Sequence, residues 1–409
     1  MADVSVLNVK LYGEPIGTLT NVGGDRTLFS FTDDYINNES RPALGLAFKD
    51  DLGQLISKWP VTQKRLVPFF SNLLPEGHLR EYLARLAGVN PEREFYLLWA
   101  LGRDLSGAIT VEPADGETWP PGLDEDSPEA TDKKRENALR FSLAGVQLKF
   151  SAVHNDRANK GLTIPVSGVG GSWIVKLPSL RYEGVPENEY SILTLARQVG
   201  IDVPEISLID VEAIEGLPEG IGDLKGQAFA IKRFDRTEEG PVHTEDFAQV
   251  FRVYPEEKYG KASYRNIATV LAAETGETGV EEFIRRLTFC TLTGNADMHL
   301  KNWSLIYPDK RTPALSPAYD LVSTIPYIAD EEAALTFART KRFDGYTLDE
   351  LSYLASKAGL PETPVINTAK QTVERFRDVW EREKSHLPQD KRVTEAIDRH
   401  LEKLPIAAV

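Results

Sequence analysis

An α+β protein of two lobes, preceded by a separate N-terminal unit, is the fold class this sequence predicts. Three observations predict it. Strand-like segments crowd the stretch before residue 240, helical periodicity dominates after residue 244, and a Pro- and charge-rich stretch sets the first ~110 residues apart. A block of strands followed by a block of helices buries its apolar faces as α+β, not as a doubly wound parallel sheet. A chain of 409 residues is also too long for one ordinary core. The expected boundaries are 1–137 for the N-terminal unit with its linker, 138–240 for a mostly β lobe and 241–409 for a mostly helical lobe.

The elements follow in order. VSVLNVKLYG and EPIGTLTNV read as a hairpin turning at Gly13 and Pro15. VTQKRLVPFFSNLL, EGHLREYLARLAGV and REFYLLWALG have the apolar spacing of amphipathic helices, with Leu79, Leu83 and Leu86 on one face of the second. GAITVEP is a short closing strand. ADGETWPPGLDEDSPEATDKKREN has little to bury and reads as a linker. RFSLAGVQLKFSAV reads as strand, tight turn and strand, and GVGGSWIVKLPS as a glycine-led strand. ENEYSILTLARQVG is a helix with Gly200 as its C-cap. ISLIDVEAI and QAFAIKRFD complete a mostly antiparallel set. Five helical segments then run from ASYRNIATVLAAE to DKRVTEAIDRHLEKL.

Composition narrows the function classes. With 41% hydrophobic and 27% charged residues the chain is globular. A net charge of −15 argues against this chain alone gripping a nucleic-acid backbone and is compatible with a basic partner. No apolar run approaches the ~18 residues that span a bilayer, and MADVSVLNVKLYG lacks the pattern of a secretory leader, so a cytoplasmic protein is expected. The single cysteine, Cys290, cannot form an internal disulfide and reads as a buried helix residue, and no Cys/His cluster has zinc spacing.

The sharpest chemical signal is GNADMHLKNWSLIY. Asp297 and Asn302 should share a loop, five positions apart, in the D-x-x-x-x-N spacing of a protein-kinase catalytic loop. There an Asp must reach the acceptor hydroxyl while an Asn faces a magnesium ion bridging the phosphates. Asp320 lies 18 residues downstream of Asn302, beyond a hairpin-like turn at Pro308, where kinases place a second magnesium-binding carboxylate. Its bland alternative is a cap on the turn after Tyr319. Lys176 shares an apolar strand face with Ile174 and either snorkels at a sheet edge or holds an anion. Glu189 follows on the next helix, as the partner of a phosphate-contacting lysine would. Ser142 and Gly145 sit in a turn whose backbone can approach phosphates, although it matches neither a P-loop nor G-x-G-x-x-G.

With these residues in place, the sequence resembles the HipA family of serine/threonine kinases, toxins of type II toxin–antitoxin systems. GEPIGTLT, FFSNLLPEGHLREYLARLAGV and LGRDLSGAI look like the family's N-terminal segment. FSLAGVQLK, WIVKLP, ENEYSILTLARQVGIDVPE, FAIKRFDR, GNADMHLKN and LSPAYDLVS look like its kinase core. The resemblance implies a two-lobed protein-kinase-like fold with an N-terminal α/β accessory domain and an all-helical C-terminal lobe. It implies ATP and Mg²⁺, with Asp297 as catalytic base and Asn302 and Asp320 on the metal. Phosphate contacts are implied for Ala144, Gly145, Val146, Gln147, Lys149 and Lys176, with His299 and Lys301 near them. Lys232, Arg233 and Phe234 would form the adenine hinge, largely through backbone groups, with Tyr319 near the nucleotide and Glu189 steadying Lys176. Ser142 matches the autophosphorylated serine. The implied partners are a HipB-like DNA-binding antitoxin, DNA through that antitoxin, and a protein substrate of the aminoacyl-tRNA synthetase class. Leu148 and Lys232 stand where the family often has Glu, and NADMHLKN where TDGHAKN is common. A small-molecule kinase of the same fold, or a nucleotide-binding corepressor without catalysis, would use the same residues.

Overall fold

The structure, a computed structural model, describes residues 5–114, 149–154, 162–164, 170–179, 181–217, 224–328 and 331–409. The chain opens with β1 (Ser5–Leu11), β2 (Glu14–Asn21), β3 (Arg26–Phe31), α1 (Asp33–Asn37) and β4 (Thr62–Gln63). It continues through α2 (Pro68–Ser71), α3 (Gly77–Ala87), α4 (Glu94–Leu101) and β5 (Ile109–Pro113). The strands pair antiparallel in the order β4-β3-β2-β1-β5. Leu7, Val9 and Leu11 alternate inward and are fully buried, as a half-covered strand demands.

Two helical expectations here need correction. VTQKRLVPFFSNLL is helical only over Pro68–Ser71, because the ring of Pro68 disfavours a helical Val67, which is extended (φ −53°, ψ 139°). The segment over α4 is not amphipathic: Phe95, Leu97, Leu98, Trp99 and even Glu94 are buried. It is a core helix.

The second sheet uses β6 (Lys149–His154), β7 (Leu162–Thr163) and β8 (Trp173–Lys176), then, after α5 (Val185–Val199), β9 (Ile206–Asp210), β10 (Ile214–Glu215) and β11 (Gln227–Lys232). Its order is β10-β7-β6-β8-β11-β9, antiparallel except for β10 with β7. Strand alternation gives this sheet two partners. Trp173, Val175, Ala228 and Ala230 join the apolar cluster of the N-terminal strands, whereas Phe229 and Ile231 join the cluster of the helical lobe. Lys176 lies on the second face, opposite Phe229 in register.

A small hairpin, β12 (Arg236–Thr237) and β13 (Gly240–Pro241), leads to β14 (His243–Asp246), α6 (Phe247–Val250), α7 (Tyr264–Glu274) and α8 (Gly276–Leu292). Then come β15 (Ser304–Tyr307), β16 (Ala314–Leu315), α9 (Leu348–Ala358), α10 (Glu362–Glu383) and α11 (Lys391–Leu401). This lobe is mostly helical but not all-helical. Strand β14 pairs with β15, and β15 with β16, to give a three-stranded antiparallel sheet. Its outer pairing joins segments some sixty residues apart, which local periodicity does not report. Cys290 is buried in α8 as expected. Among the described residues no helix is long and apolar enough to cross a membrane.

Candidate active site

A cleft of about 340 Å³ opens between the second sheet and the helical lobe, and the N-terminal unit closes part of its wall through Asn72 and Glu76.

At one end sits Lys176, the last residue of β8. Its ammonium donates to Glu189 Oε1 of α5 at 2.5 Å and to Asp320 Oδ1. Burial alone would lower the Lys176 pKa, but Asp320 and Glu189 outweigh it and hold the ammonium above its ordinary value. Burial alone would raise Asp320, yet Lys176 and then Lys149 hold it far below the usual carboxylate range. Asp320 also has φ +54°, a left-handed conformation that an aspartate adopts at a cost and that functional sites retain. Lys149 stands opposite Lys176 in the β6–β8 register. Burial lowers its pKa, opposed by Asp320 and reinforced by Lys176. Lys176, buried, and Lys149, half-buried, thus stand together at this end of the cleft with Asp320 and Glu189.

At the other end is the loop after α8. Gly294 has φ +64°, and a Cβ there would come within 2.5 Å of Ile325 Cδ1, so both backbone and space require glycine. The loop is closed on itself: Asp297 N donates to Asn295 Oδ1 (3.0 Å), and Asn302 Nδ2 donates to Asp297 O (2.7 Å). With its nitrogen committed, Asn302 has its amide oxygen left as a ligand. Asp297 Oδ1 accepts from Tyr259 Oη at 2.6 Å. Burial raises the Asp297 pKa above the ordinary 3.8, and the Tyr259 bond only partly opposes this. His299 packs edge-on against the Tyr259 ring at 5.0 Å. Burial, and then Lys258, drive its pKa down to about 3, so the imidazole is neutral at pH 7.

Lys301 projects towards the N-terminal unit. Its ammonium donates to Asn72 O (2.9 Å) and pairs with Glu76 Oε1 (2.9 Å), while Lys258 donates to Glu76 Oε2 (2.9 Å). Burial alone would raise Glu76, but Lys301 and Lys258 bring it to about 2. Tyr319 donates to Lys301 O at 2.9 Å, so Ser304 Oγ, 2.5 Å away, donates to the phenol.

The cleft therefore brings together Lys149, Lys176, Glu189, Lys232, Arg233, Phe234, Asp297, His299, Lys301, Asn302, Tyr319 and Asp320. Ser142, Ala144, Gly145, Val146 and Gln147 lie outside the described residues. The hinge expectation needs revision at two positions. The amides of Lys232 and Arg233 already donate to Glu205 O and Ser172 O at 2.8 Å each, so neither is available to an adenine. The Arg233 guanidinium instead pairs with Asp104 of the N-terminal unit (3.0 Å) and with Asp235 (2.9 Å). Phe234 does lie by Tyr319, ring centroids 5.7 Å apart.

Sequence reasoning missed Asn72, Glu76, Lys258 and Tyr259. Glu76 looked like the ordinary start of a helix, after Pro75. Lys258 and Tyr259 sit in PEEKYGK, where the signal was a polar, aromatic segment with no period of its own.

Among the described residues no group of three or more His, Cys, Asp or Glu side chains could hold a metal unaided. Asp320, kept ionised, and the free amide oxygen of Asn302 supply two hard ligands, the number that suits a Mg²⁺ completing its shell with phosphate oxygens and water. The donor set fits that ion.

A model of the HipA-like C-terminal domain matches residues 141–380, and a model of the HipA N-terminal domain matches residues 7–112. A Sinorhizobium fredii protein named putative kinase Y4dM is 61% identical over 401 residues, 98% of this chain and 97% of its own. The serine/threonine-protein kinase toxin HipA of Shewanella oneidensis is 25% identical over 361 residues, 77% of this chain and 76% of its own. A solved structure of the Shewanella oneidensis HipA, HipB and operator DNA complex shares the fold. It aligns at TM-score 0.71 and 21% identity, covering 98% of this chain and 96% of that one.

Proposed function

This chain belongs to the HipA family, with its α+β, kinase-like fold, and from that premise we propose that it transfers the γ-phosphoryl group of ATP to a serine or threonine hydroxyl of a protein. One observation carries the reading: a single cleft holds Lys176 joined to Glu189 and Asp320 at one end and the closed loop of Asp297 and Asn302 at the other, with Asp320 drawn down by lysines and Asp297 pushed up by burial. Separated acidities of this kind suit a split of labour between charge binding and proton acceptance.

In this reading Asp297 orients the acceptor hydroxyl and takes its proton. Lys149 and Lys176 receive the phosphates, and Glu189 keeps Lys176 in place. Asn302 and Asp320 hold Mg²⁺, which when bound neutralises charge on the β- and γ-phosphates. Tyr319 and Phe234 flank the nucleotide end of the cleft. His299, a neutral imidazole packed edge-on against Tyr259, lies near the phosphates and can offer them only a neutral N–H.

The finer parts of the proposal rest on the family. The acceptor is a translation component of the aminoacyl-tRNA synthetase class, and Ser142 is an autophosphorylation site. A small HipB-like DNA-binding antitoxin neutralises the chain and brings it to DNA. The net charge of −15 supports that division, since the antitoxin must carry the contacts to the DNA backbone.

The test is transfer of label from γ-labelled ATP to lysate proteins by the purified chain, with the products identified by mass spectrometry. Wild-type protein labels a discrete acceptor on Ser or Thr, and Asp297→Asn does not. Labelling by Asp297→Asn at near wild-type rate would defeat the assignment.

A further inference from the structure

Among the described residues that line the cleft, Glu76 is the only carboxylate of the N-terminal unit. It lies in the turn between α2 and α3, and that turn is anchored on the helical lobe. Asn72 Nδ2 donates to Val253 O (2.7 Å), and Gln249 Nε2 donates to Phe69 O (2.9 Å). From this anchored turn Glu76 spends one oxygen on Lys258 and the other on Lys301. Lys301 is part of the loop between Asp297 and Asn302. The carbonyl of Lys258 accepts from Leu300 N of that loop at 3.3 Å, and its neighbour Tyr259 bonds Asp297. All three charged side chains are nearly buried, at 13%, 10% and 8% exposure, so solvent screens little of their interaction.

We propose that Glu76 is a positioning residue of the reaction centre: the N-terminal unit delivers it to hold Lys258 and Lys301 beside Asp297 and to balance their charge. The proposal rests on the cleft being a phosphoryl-transfer site. Without Glu76 the two ammoniums face Asp297 and the incoming phosphates unpaired. They then trap polyanions and pull the loop off its geometry. The N-terminal unit is thereby a component of the kinase centre as well as a neighbour packed against it.

Two measurements on the full-length chain decide this. The first is ADP affinity by calorimetry, which needs no acceptor and no turnover. Glu76→Gln binds ADP about fivefold more tightly than wild type, while Glu76→Asp, which keeps the charge, stays within about twofold. The second is transfer from γ-labelled ATP: Glu76→Gln lowers kcat about tenfold and lowers KM for ATP as well, and Glu76→Asp restores most of the rate. Asp104→Asn is the control, because it loosens the same two units at Arg233 and Arg236, which both keep Asp235, and leaves Lys258 and Lys301 with their partner Glu76. Unchanged ADP affinity in Glu76→Gln overturns the proposal. So does an Asp104→Asn protein with the same kcat and KM shifts, since loosened packing would then explain the effect. A wild-type chain that transfers nothing sinks the kinase reading, and the ADP comparison still decides the role of Glu76.

Discussion

The two ends of the cleft solve opposite electrostatic problems with the same side chain. At one end Asp320, half-buried, faces Lys176 and Lys149 and stays ionised. At the other Asp297 is nearly as buried, but its neighbours are a phenol, a neutral imidazole and ammoniums already matched by Glu76. Its pKa therefore rises. Burial is the largest influence at both, so what separates them is whether a cation is free to compensate it. An uncompensated carboxylate is a poor anchor and a better proton acceptor, because its basicity is nearer the working pH.

The largest effect that sharpens this contrast is the paired substitution of the two aspartates. Asp297→Asn is expected to slow transfer by about 10²–10⁴-fold with ADP affinity within about threefold of wild type. Asp320→Asn is expected to slow transfer comparably and also to remove the Mg²⁺ dependence of ADP binding. Calorimetry with and without Mg²⁺ checks both, and indistinguishable profiles would break the distinction between the two ends.

Next comes the cation that defines the anchor end. Lys176→Met removes the partner of Glu189 and Asp320 together, leaving a buried and a half-buried carboxylate without their shared ion. Transfer is expected to fall by about 10²-fold, and nucleotide affinity with it, since the lost charge acts in a water-poor site. A Lys176→Met protein that binds ADP as wild type does would mean that this lysine serves only its ion pairs with Glu189 and Asp320.

The anchor end was far more legible in the sequence than the acceptor end, and the reason is physical. Lys176, Glu189 and Asp320 are delivered by a strand, the next helix and the residues beyond a hairpin, so each carried a local pattern and they fell in an order that could be recognised. Asp297 and Asn302 were legible for the same reason, because one closed loop holds both. Glu76 and Lys258 meet across 182 residues, and no local period encodes a contact of that span. The fold shows the same divide. Helices of the C-terminal lobe and the antiparallel core of the second sheet could be read from periodicity. The long-range pairing of β14 with β15 could not, and neither could the brevity of α2, where the constraint from Pro68 outweighed the apolar spacing.

The pH dependence of transfer probes the contrast at smaller amplitude. A base with a raised pKa loses activity as pH falls through that value, while Asp320, with its pKa depressed, remains ionised over the same range. The limb that belongs to Asp297 in the rate at saturating ATP should therefore lie above the ordinary aspartate value of 3.8. A limb at or below that value would mean that the free cations of the two ends are not partitioned as drawn here.

Tyr259→Phe is the mildest and most specific test. The phenol donates to Asp297 Oδ1 and so favours the ionised carboxylate, opposing burial. Deleting only the hydroxyl keeps the ring that packs against His299 and removes this opposition. The acid limb should therefore move to higher pH, the direction in which burial already pushes it. The rate on the plateau should change by only about threefold, because the same hydroxyl also occupies an oxygen that the acceptor must reach, and the two consequences partly cancel. A limb that shifts to lower pH would show that Tyr259 is not stabilising the charged form. The acceptor end would then owe its raised basicity to something other than burial set against a single hydrogen bond.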